Sequence, residues 1–201
     1  MDIKAGQILE RISVAGLEKC VAKLSRISAG EWKVADVRVS CRSLEEAISD
    51  HSAARGTGAA VYFEVKGEFP FTSMVVFRPE DIDTISRGFM GFSFSRMPNL
   101  NQAQELLLSE LGNIILNGLI GSLSKALKRS FLPTAPKCVQ GETRFLLEAL
   151  WTALGRSPHS LITVTLDLQC DRTVTRSEVL ALIPENMEKA LLAAEAAHGA
   201  D

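Results

Sequence analysis

The chain has 201 residues, of which 46% are hydrophobic and 23% are charged, the composition of a globular protein with a substantial core. Its formal net charge of −2 argues against general binding to nucleic acid, because no surface-wide positive field would attract a polyanion. The length fits one large domain or two small ones.

The cysteines and histidines are few and scattered, and no CxxC pair occurs among them. This pattern favours small core cysteines in a reducing compartment over a disulfide framework or a zinc site. The N-terminus lacks the long apolar run of a signal peptide, and no stretch approaches the roughly 18–20 apolar residues that span a bilayer. The sequence therefore predicts a cytoplasmic protein with no membrane segment and no metal of its own.

The first half of the chain begins with a predicted long helix over residues 3–27, where apolar residues recur at three- and four-residue intervals. Alternation predicts a half-buried strand over 32–41, and Ser43 with Glu46 has the spacing of a capping box that opens a short helix. A loop over 51–58 leads to a hairpin of strands 59–66 and 69–77. Pro79 and the acids after it suit the first turn of a further helix.

After a connection over residues 88–100, the second half begins with a long helix over 101–130. Pro133 and Pro136 confine the next segment to an extended or edge conformation. A helix over 143–154 then precedes a second hairpin, whose strands cover 161–170 and 174–183. Pro184 and Glu185 open the last helix, as Pro79 and Glu80 open its counterpart.

Both halves therefore run in the same order: long helix, extended segment, short helix, hairpin, and a helix opened by Pro-Glu. This order indicates duplication of one unit within a single domain, 1–201, built of halves of approximately 1–95 and 96–201. The predicted fold class is α/β, of the α+β type. We expect one shared, mostly antiparallel sheet with the two long helices on one face.

The helix predicted over 101–130 has two faces when its residues are placed at 100° steps. The broad apolar face holds Leu107, Leu111, Ile114, Ile115, Gly118, Leu119 and Ser122. The polar face holds Glu110, Asn113, Asn117, Ser124 and Lys128, with Leu106 and Gly121 among them. Glu110 and Asn113 are three residues apart, so their Cβ atoms leave this face roughly 5–6 Å apart. Such a carboxylate can bind a cation on a partner, and such a carboxamide can hold a water molecule.

The segment Ser109-Glu110-Leu111-Gly112-Asn113-Ile114, followed by Pro136, resembles the CheC/CheX/FliY family of chemotaxis phosphatases. The family signature is an acid or serine, then Glu four residues later, Asn three after that, and a proline some two dozen residues beyond. Ser122-Leu123-Ser124 is similar to the Ala-Leu-Ser run of the family helix. The duplicated layout and the length look like CheC in particular, because CheX is normally shorter and no extra C-terminal domain points to FliY.

Two positions depart from the family pattern. The acid or serine four residues before Glu110 is Leu106 here, an apolar side chain on the polar face. In the first half, aligning Lys23-Leu24-Ser25 with the Ala-Leu-Ser run puts Arg11 and Val14 where Glu and Asn would stand. The resemblance therefore implies one site at most, in the second half.

The resemblance implies a phosphatase acting on the aspartyl phosphate of a CheY-like response regulator, which itself carries Mg²⁺ and a lysine. Glu110 would dock the regulator lysine, and Asn113 would orient the attacking water. Leu106, Asn117 and Pro136 would belong to the partner-binding surface, with Pro136 mainly shaping the segment beside the helix.

An alternative remains open from the sequence. With one lost and one altered site, the chain could be a non-catalytic adaptor that binds a response regulator or the receptor deamidase CheD. Leu106 suits either role, since it could pack on an apolar patch of a partner. An unrelated scaffold domain is a weaker third interpretation.

Overall fold

A computed structural model describes residues 2–51, 57–92, 101–152, 159–170 and 172–198. Its helices are α1 (Ile3–Ile27), α2 (Leu44–His51), α3 (Pro79–Met90), α4 (Gln102–Leu127), α5 (Thr143–Thr152) and α6 (Glu185–His198). Its strands are β1 (Trp32–Arg42), β2 (Gly58–Gly67), β3 (Phe71–Phe77), β4 (Phe131–Pro133), β5 (Lys137–Gly141), β6 (His159–Cys170) and β7 (Thr173–Pro184).

Local sequence signals set several of these boundaries. Ser43 and Glu46 form the predicted capping box of α2, since each side chain accepts a hydrogen bond from the other's backbone N–H. Strand β3 begins at Phe71 and not at 69, because Pro70 has no N–H to give to the ladder. Helix α3 extends to Met90, and Gly91 caps it in the left-handed region at φ 82°, which glycine adopts without strain. Most of the two predicted connections, 52–56 and 93–100, and the end of the 143–154 helix lie outside the described residues.

The strands form one sheet in the order β1-β6-β7-β3-β2-β4, with β5 also paired to β2, and every pairing is antiparallel. The two halves of the chain are interleaved in this sheet. Strand β1 of the first half pairs with β6 of the second, and β3 of the first half pairs with β7 of the second. The predicted shared antiparallel sheet is therefore confirmed.

The sheet has a different set of helices on each face. Helices α1, α3, α4 and α6 bury their apolar residues in the larger core cluster, against β-strand residues such as Val61, Phe63 and Val75. Helices α2 and α5 contribute Ala47, Leu146 and Leu147 to a smaller cluster on the opposite face. The two long helices thus share one face, as the sequence predicts.

The long helices α1 and α4 cross in antiparallel directions at a close contact. The Cys20 Sγ of α1 donates to the carbonyl oxygen of Ile114 in α4, at 3.4 Å. A Cβ placed on Gly16 would lie 2.9 Å from the carbonyl oxygen of Gly118. Burial raises the pKa of the Cys20 thiol to about 11, so this cysteine is an uncharged packing residue. Cys170 is also buried, whereas Cys41 is exposed, so the expectation of a core position is wrong for Cys41.

By length and composition alone, α4 is apolar enough to cross a membrane, and it is the one such helix in the parts of the chain that the structure describes. This contradicts the expectation that no stretch approaches that limit. In the fold, 56% of its most apolar stretch is buried against α1, the sheet and α6. Core helices of soluble proteins pass the same test of length and composition, and the apolar residues of α4 serve the core.

Candidate functional site

Helix α4 carries the candidate site on the face that it turns away from the sheet. Asn101 caps the helix through a capping box with Gln104, and Lys128 ends it in the left-handed region at φ 53°. Gly112 lets the opposite face press on β2, because an added Cβ would lie 2.6 Å from the Cβ of Val61. The outer face is exposed or half-buried along its length, through Leu106, Glu110, Asn113, Asn117, Gly121, Ser124 and Lys128.

Glu110 is exposed on this face. Within the described ranges, its carboxylate takes part in no hydrogen bond or ion pair of the fold. An ionised carboxylate with unused acceptor positions is able to bind an incoming ammonium or guanidinium group. Glu110 is therefore available to a cation on another molecule.

Asn113 lies one turn further along the helix and is half-buried. Its Oδ1 accepts a hydrogen bond from Nδ2 of Asn117, at 2.6 Å. Asn117 follows Asn113 by four residues, the spacing that brings helix side chains into contact. One acceptor position of the Asn113 carbonyl oxygen is thus used within the helix, and its NH₂ group makes no hydrogen bond within the described residues.

Leu106 lies one turn before Glu110 and is 72% exposed. An isolated exposed leucine is common on protein surfaces, but this one stands on the same face as Glu110 and Asn113. The Leu106 side chain is therefore not part of the core, and it forms an apolar surface at the edge of the candidate site.

Pro136 lies between the two edge strands that pair with β2. Lys137 is opposite Tyr62 and Pro133 is opposite Val65, so three residues of this segment face two of β2. One strand therefore has one more residue than its partner here, as in a β-bulge. A proline is tolerated at such a position, because the extra residue does not donate a ladder hydrogen bond. The predicted edge conformation of the segment is confirmed, and Pro136 is half-buried there.

The first-half counterpart of the site has another chemistry. Arg11 forms an ion pair with Glu195 of α6, and Val14 is half-buried. Beside Arg11, a groove of about 400 Å³ lies between α1, α4 and α6. This end of the helix pair offers neither a free carboxylate nor an amide at the two matching positions.

Besides the Arg11–Glu195 pair, two further arrangements are not predicted by the sequence. One is the bond between Asn117 and Asn113, which needs a side-chain conformation that residue spacing does not give. The other lies on the sheet face that carries α2 and α5, where Arg176 Nε and Nη2 donate to the two carboxylate oxygens of Asp167 at 2.7 and 2.8 Å. The Arg176 guanidinium holds the pKa of Asp167 below its usual range, helped by Arg38 and Arg78. The strict alternation along 161–170 marks the position of Asp167 as polar, but it does not indicate that this carboxylate is largely buried and paired with a half-exposed arginine.

Metal ligation has no support in the described part of the chain, where no group of three or more His, Cys, Asp or Glu side chains is placed to hold an ion. The candidate site on α4 offers the hydrogen-bonding and charged side chains of Glu110, Asn113 and Asn117.

This chain has the fold of the CheC/CheX/FliY proteins, because solved structures of FliY and CheX match its antiparallel sheet and helices over most of their length. FliY from Thermotoga maritima is similar to it with a TM-score of 0.71 and 14% sequence identity, over 96% of each chain. A chain of the CheX-CheY-BeF3-Mg²⁺ complex from Borrelia burgdorferi has a TM-score of 0.54 and 16% identity, over 86% of this chain and 97% of that one. A chain of the FliG-FliM complex from H. pylori has a TM-score of 0.64 and 12% identity, over 94% of this chain and 100% of that one.

No protein-family model matches the sequence, and no curated protein matches it. Identities this low show the shared fold and leave the chemistry of the site to be argued from its residues. The likeness to CheC in particular is not confirmed, because the solved FliY chain is matched over nearly its whole length.

Proposed function

We propose that this protein is a phosphatase that acts on the aspartyl phosphate of a CheY-like response regulator in the cytoplasm. Glu110 docks the regulator's lysine, and Asn113 orients the attacking water. Leu106, Asn117 and Pro136 belong to or shape the surface that the regulator covers. The Mg²⁺ ion that the reaction needs belongs to the regulator, and CheD is a second candidate partner of this chain.

The reaction that this site has to assist is hydrolysis of an acyl phosphate. A water oxygen forms a bond to phosphorus while the bond from phosphorus to the aspartate oxygen breaks. The electron pair of that bond remains on the aspartate carboxylate, and both hydrogen atoms of the water leave with the phosphate product, H₂PO₄⁻. Because the regulator's Mg²⁺ and lysine stabilise the transferred group, the second protein has to supply mainly the position of the water.

One observation supports this proposal above the others: Glu110 and Asn113 stand one turn apart on the exposed face of α4, and the Glu110 carboxylate makes no ion pair or hydrogen bond within the described residues. A carboxylate and an amide so placed match the two tasks of docking a lysine and holding a water. The shared fold adds support, since a protein of this fold occurs in a complex with CheY, BeF3 and Mg²⁺.

The test is the phosphate lifetime of a Mg²⁺-loaded CheY-like regulator with and without the purified protein. We expect the wild type to shorten that lifetime. Asn113→Ala should lower the rate constant at saturating protein by about 10²-fold or more, as loss of water positioning does, with little change in binding. Glu110→Gln should mainly weaken binding, because its amide cannot pair with an ammonium group as a carboxylate does.

Two control variants carry the same substitutions elsewhere on exposed helix surfaces. They are Asn186→Ala on α6 and Glu10→Gln on α1, where the side chains of Asn186 and Glu10 are both exposed. Both variants should match the wild type in rate and in binding. A wild-type protein that leaves the phosphate lifetime unchanged would overturn the phosphatase proposal.

A second candidate function, that of a non-catalytic adaptor, is favoured by the 72% exposure of Leu106 on the candidate face. An apolar side chain in that place contributes to a protein interface by burial, at about 25 cal/mol per Å². It adds nothing to the positioning of a water molecule.

Leu106→Ser separates the two functions. For an adaptor, this variant should weaken regulator binding about tenfold, as truncation of a buried interface residue by more than 1 kcal/mol does, and the wild type should leave the phosphate lifetime unchanged. For a phosphatase, the same variant should retain hydrolysis at saturating protein. Isothermal titration calorimetry measures regulator binding, and the phosphate assay measures the rate of hydrolysis.

A further inference from the structure

The hydrogen bond between Asn117 and Asn113 decides which end of the Asn113 amide faces outward. Nδ2 of Asn117 donates to Oδ1 of Asn113 at 2.6 Å, so the carbonyl oxygen points along the helix toward Asn117. Asn117 itself is exposed, and Asn113 is half-buried. No second hydrogen bond of the Asn113 side chain occurs in the described residues. The Asn113 NH₂ group therefore keeps both of its N–H donors for a water molecule, whereas the carbonyl oxygen is turned toward Asn117.

We propose that Asn117 is a positioning residue, which holds the Asn113 amide so that its NH₂ group, and not its carbonyl oxygen, meets the attacking water. This inference rests on the proposed function and adds a residue to it. Asn117 acts through Asn113 and touches neither the water nor the phosphoryl group.

The orientation matters because the two ends of an amide hold a water differently. An N–H group donates to one lone pair of the water oxygen, and the other lone pair is left to attack phosphorus. A carbonyl oxygen would instead accept a water O–H, which leaves both lone pairs of the water free but points them in other directions. Fixing the amide before the regulator arrives also removes a torsional freedom that docking would otherwise have to restrict.

Asn117→Asp reverses the bond with almost no change in shape. A carboxylate only accepts, so Asn113 has to turn its NH₂ group toward the introduced carboxylate and present its carbonyl oxygen outward. We expect the rate constant at saturating protein to fall about tenfold or more, with binding of the regulator changed much less. Asn117→Gln keeps a donor and should retain more of the rate than Asn117→Asp.

The added negative charge near an anionic substrate needs its own control. Gly121 lies one turn beyond Asn117 on the same exposed face, and nothing lies within 4 Å of a Cβ placed there. Gly121→Asp therefore adds the same charge to the same face without touching Asn113. Its rate should stay within about twofold of the wild type.

A second readout does not need the regulator. In ¹⁵N-labelled protein, the side-chain NH₂ resonances of Asn113 should shift in Asn117→Asp and stay unchanged in Gly121→Asp. Unshifted resonances in Asn117→Asp would overturn this inference whatever the activity is. A wild type active on the regulator, with Asn117→Asp equally active, would overturn this inference alone. An inactive wild type would overturn it together with the phosphatase proposal.

Discussion

Gly112 is the residue that seats the candidate helix on the sheet. A Cβ at this position would lie 2.6 Å from the Cβ of Val61 and 2.7 Å from its Cγ1, and a Cβ atom cannot move away without the backbone of β2. Gly112→Ala should therefore lower the free energy of unfolding by about 1–3 kcal/mol, as overpacking of a core does. Urea denaturation measures the change.

Gly121 offers the matched comparison in the same helix. It is exposed, and a Cβ there would meet nothing within 4 Å, so Gly121→Ala should raise the free energy of unfolding by about 0.5–1 kcal/mol through helix propensity. If both alanine variants change stability in the same direction, the close contact at Gly112 does not limit the packing of α4.

At this scale, the sequence predicts which face a residue occupies but not what it contacts there. The exposure of Glu110 follows from its place on α4, since 3.6 residues per turn fix the faces of any helix. The bond from Asn117 to Asn113 and the pair of Arg11 with Glu195 depend on side-chain rotamers and on how α6 packs against α1. Neither is contained in residue spacing.

Strands β6 and β7 are joined across the α2 and α5 face by the Asp167–Arg176 pair. The Asp167 side chain is 13% exposed and receives two hydrogen bonds from one guanidinium group. Asp167→Asn removes the negative charge that pairs with Arg176 through two hydrogen bonds and should lower the free energy of unfolding by about 1–3 kcal/mol at pH 7. Asp83→Asn breaks an exposed ion pair with Arg87 on α3 and should cost no more than about 0.5 kcal/mol.

The stability lost in Asp167→Asn depends on pH, because the fold lowers the pKa of Asp167 from its ordinary value of 3.8. Because the pKa is lower in the folded than in the unfolded chain, the carboxylate contributes its full stability above the unfolded value. That contribution disappears as the pH falls through the lower, folded value. The difference between wild type and Asp167→Asn should therefore be constant near neutral pH and shrink below about pH 4. A difference that grows on acidification would contradict this assignment.

At the scale of elements, periodicity predicts the long and regular segments well. The helix predicted over 3–27 has the same bounds as α1, and the strands of both hairpins begin and end within about two residues of their predicted bounds. The edge segment after α4 is the least determined by pattern. Strands β4 and β5 share β2 as their partner, and the chain between them is held by Thr134, whose Oγ1 accepts from the Glu64 backbone at 3.2 Å. A local pattern predicts an extended conformation there but not the neighbour to which it pairs.

For the whole molecule, the duplicated order of elements is visible in the sequence, whereas the interleaving of the halves is not. Reading along the sheet, β1 of the first half is followed by β6 and β7 of the second, then β3 and β2 of the first, then the edge strands of the second. The pairing of strands across the two halves is determined by tertiary packing. The repeated order of elements by itself is equally compatible with two separate sheets. The core beneath α1 and α4 is likewise built from both halves.

This interleaving predicts that neither half folds alone. Residues 1–95 would keep the β2–β3 hairpin but lose the β6 partner of β1 and the β7 partner of β3, which exposes strand edges and the apolar face of α1. Each half expressed separately should therefore lack a cooperative unfolding transition. The two halves coexpressed as separate chains should associate and recover one transition, measured by circular dichroism on the copurified pair. A half that unfolds cooperatively by itself would contradict the prediction of a single domain, which rests on the pairings of β1 with β6 and of β3 with β7.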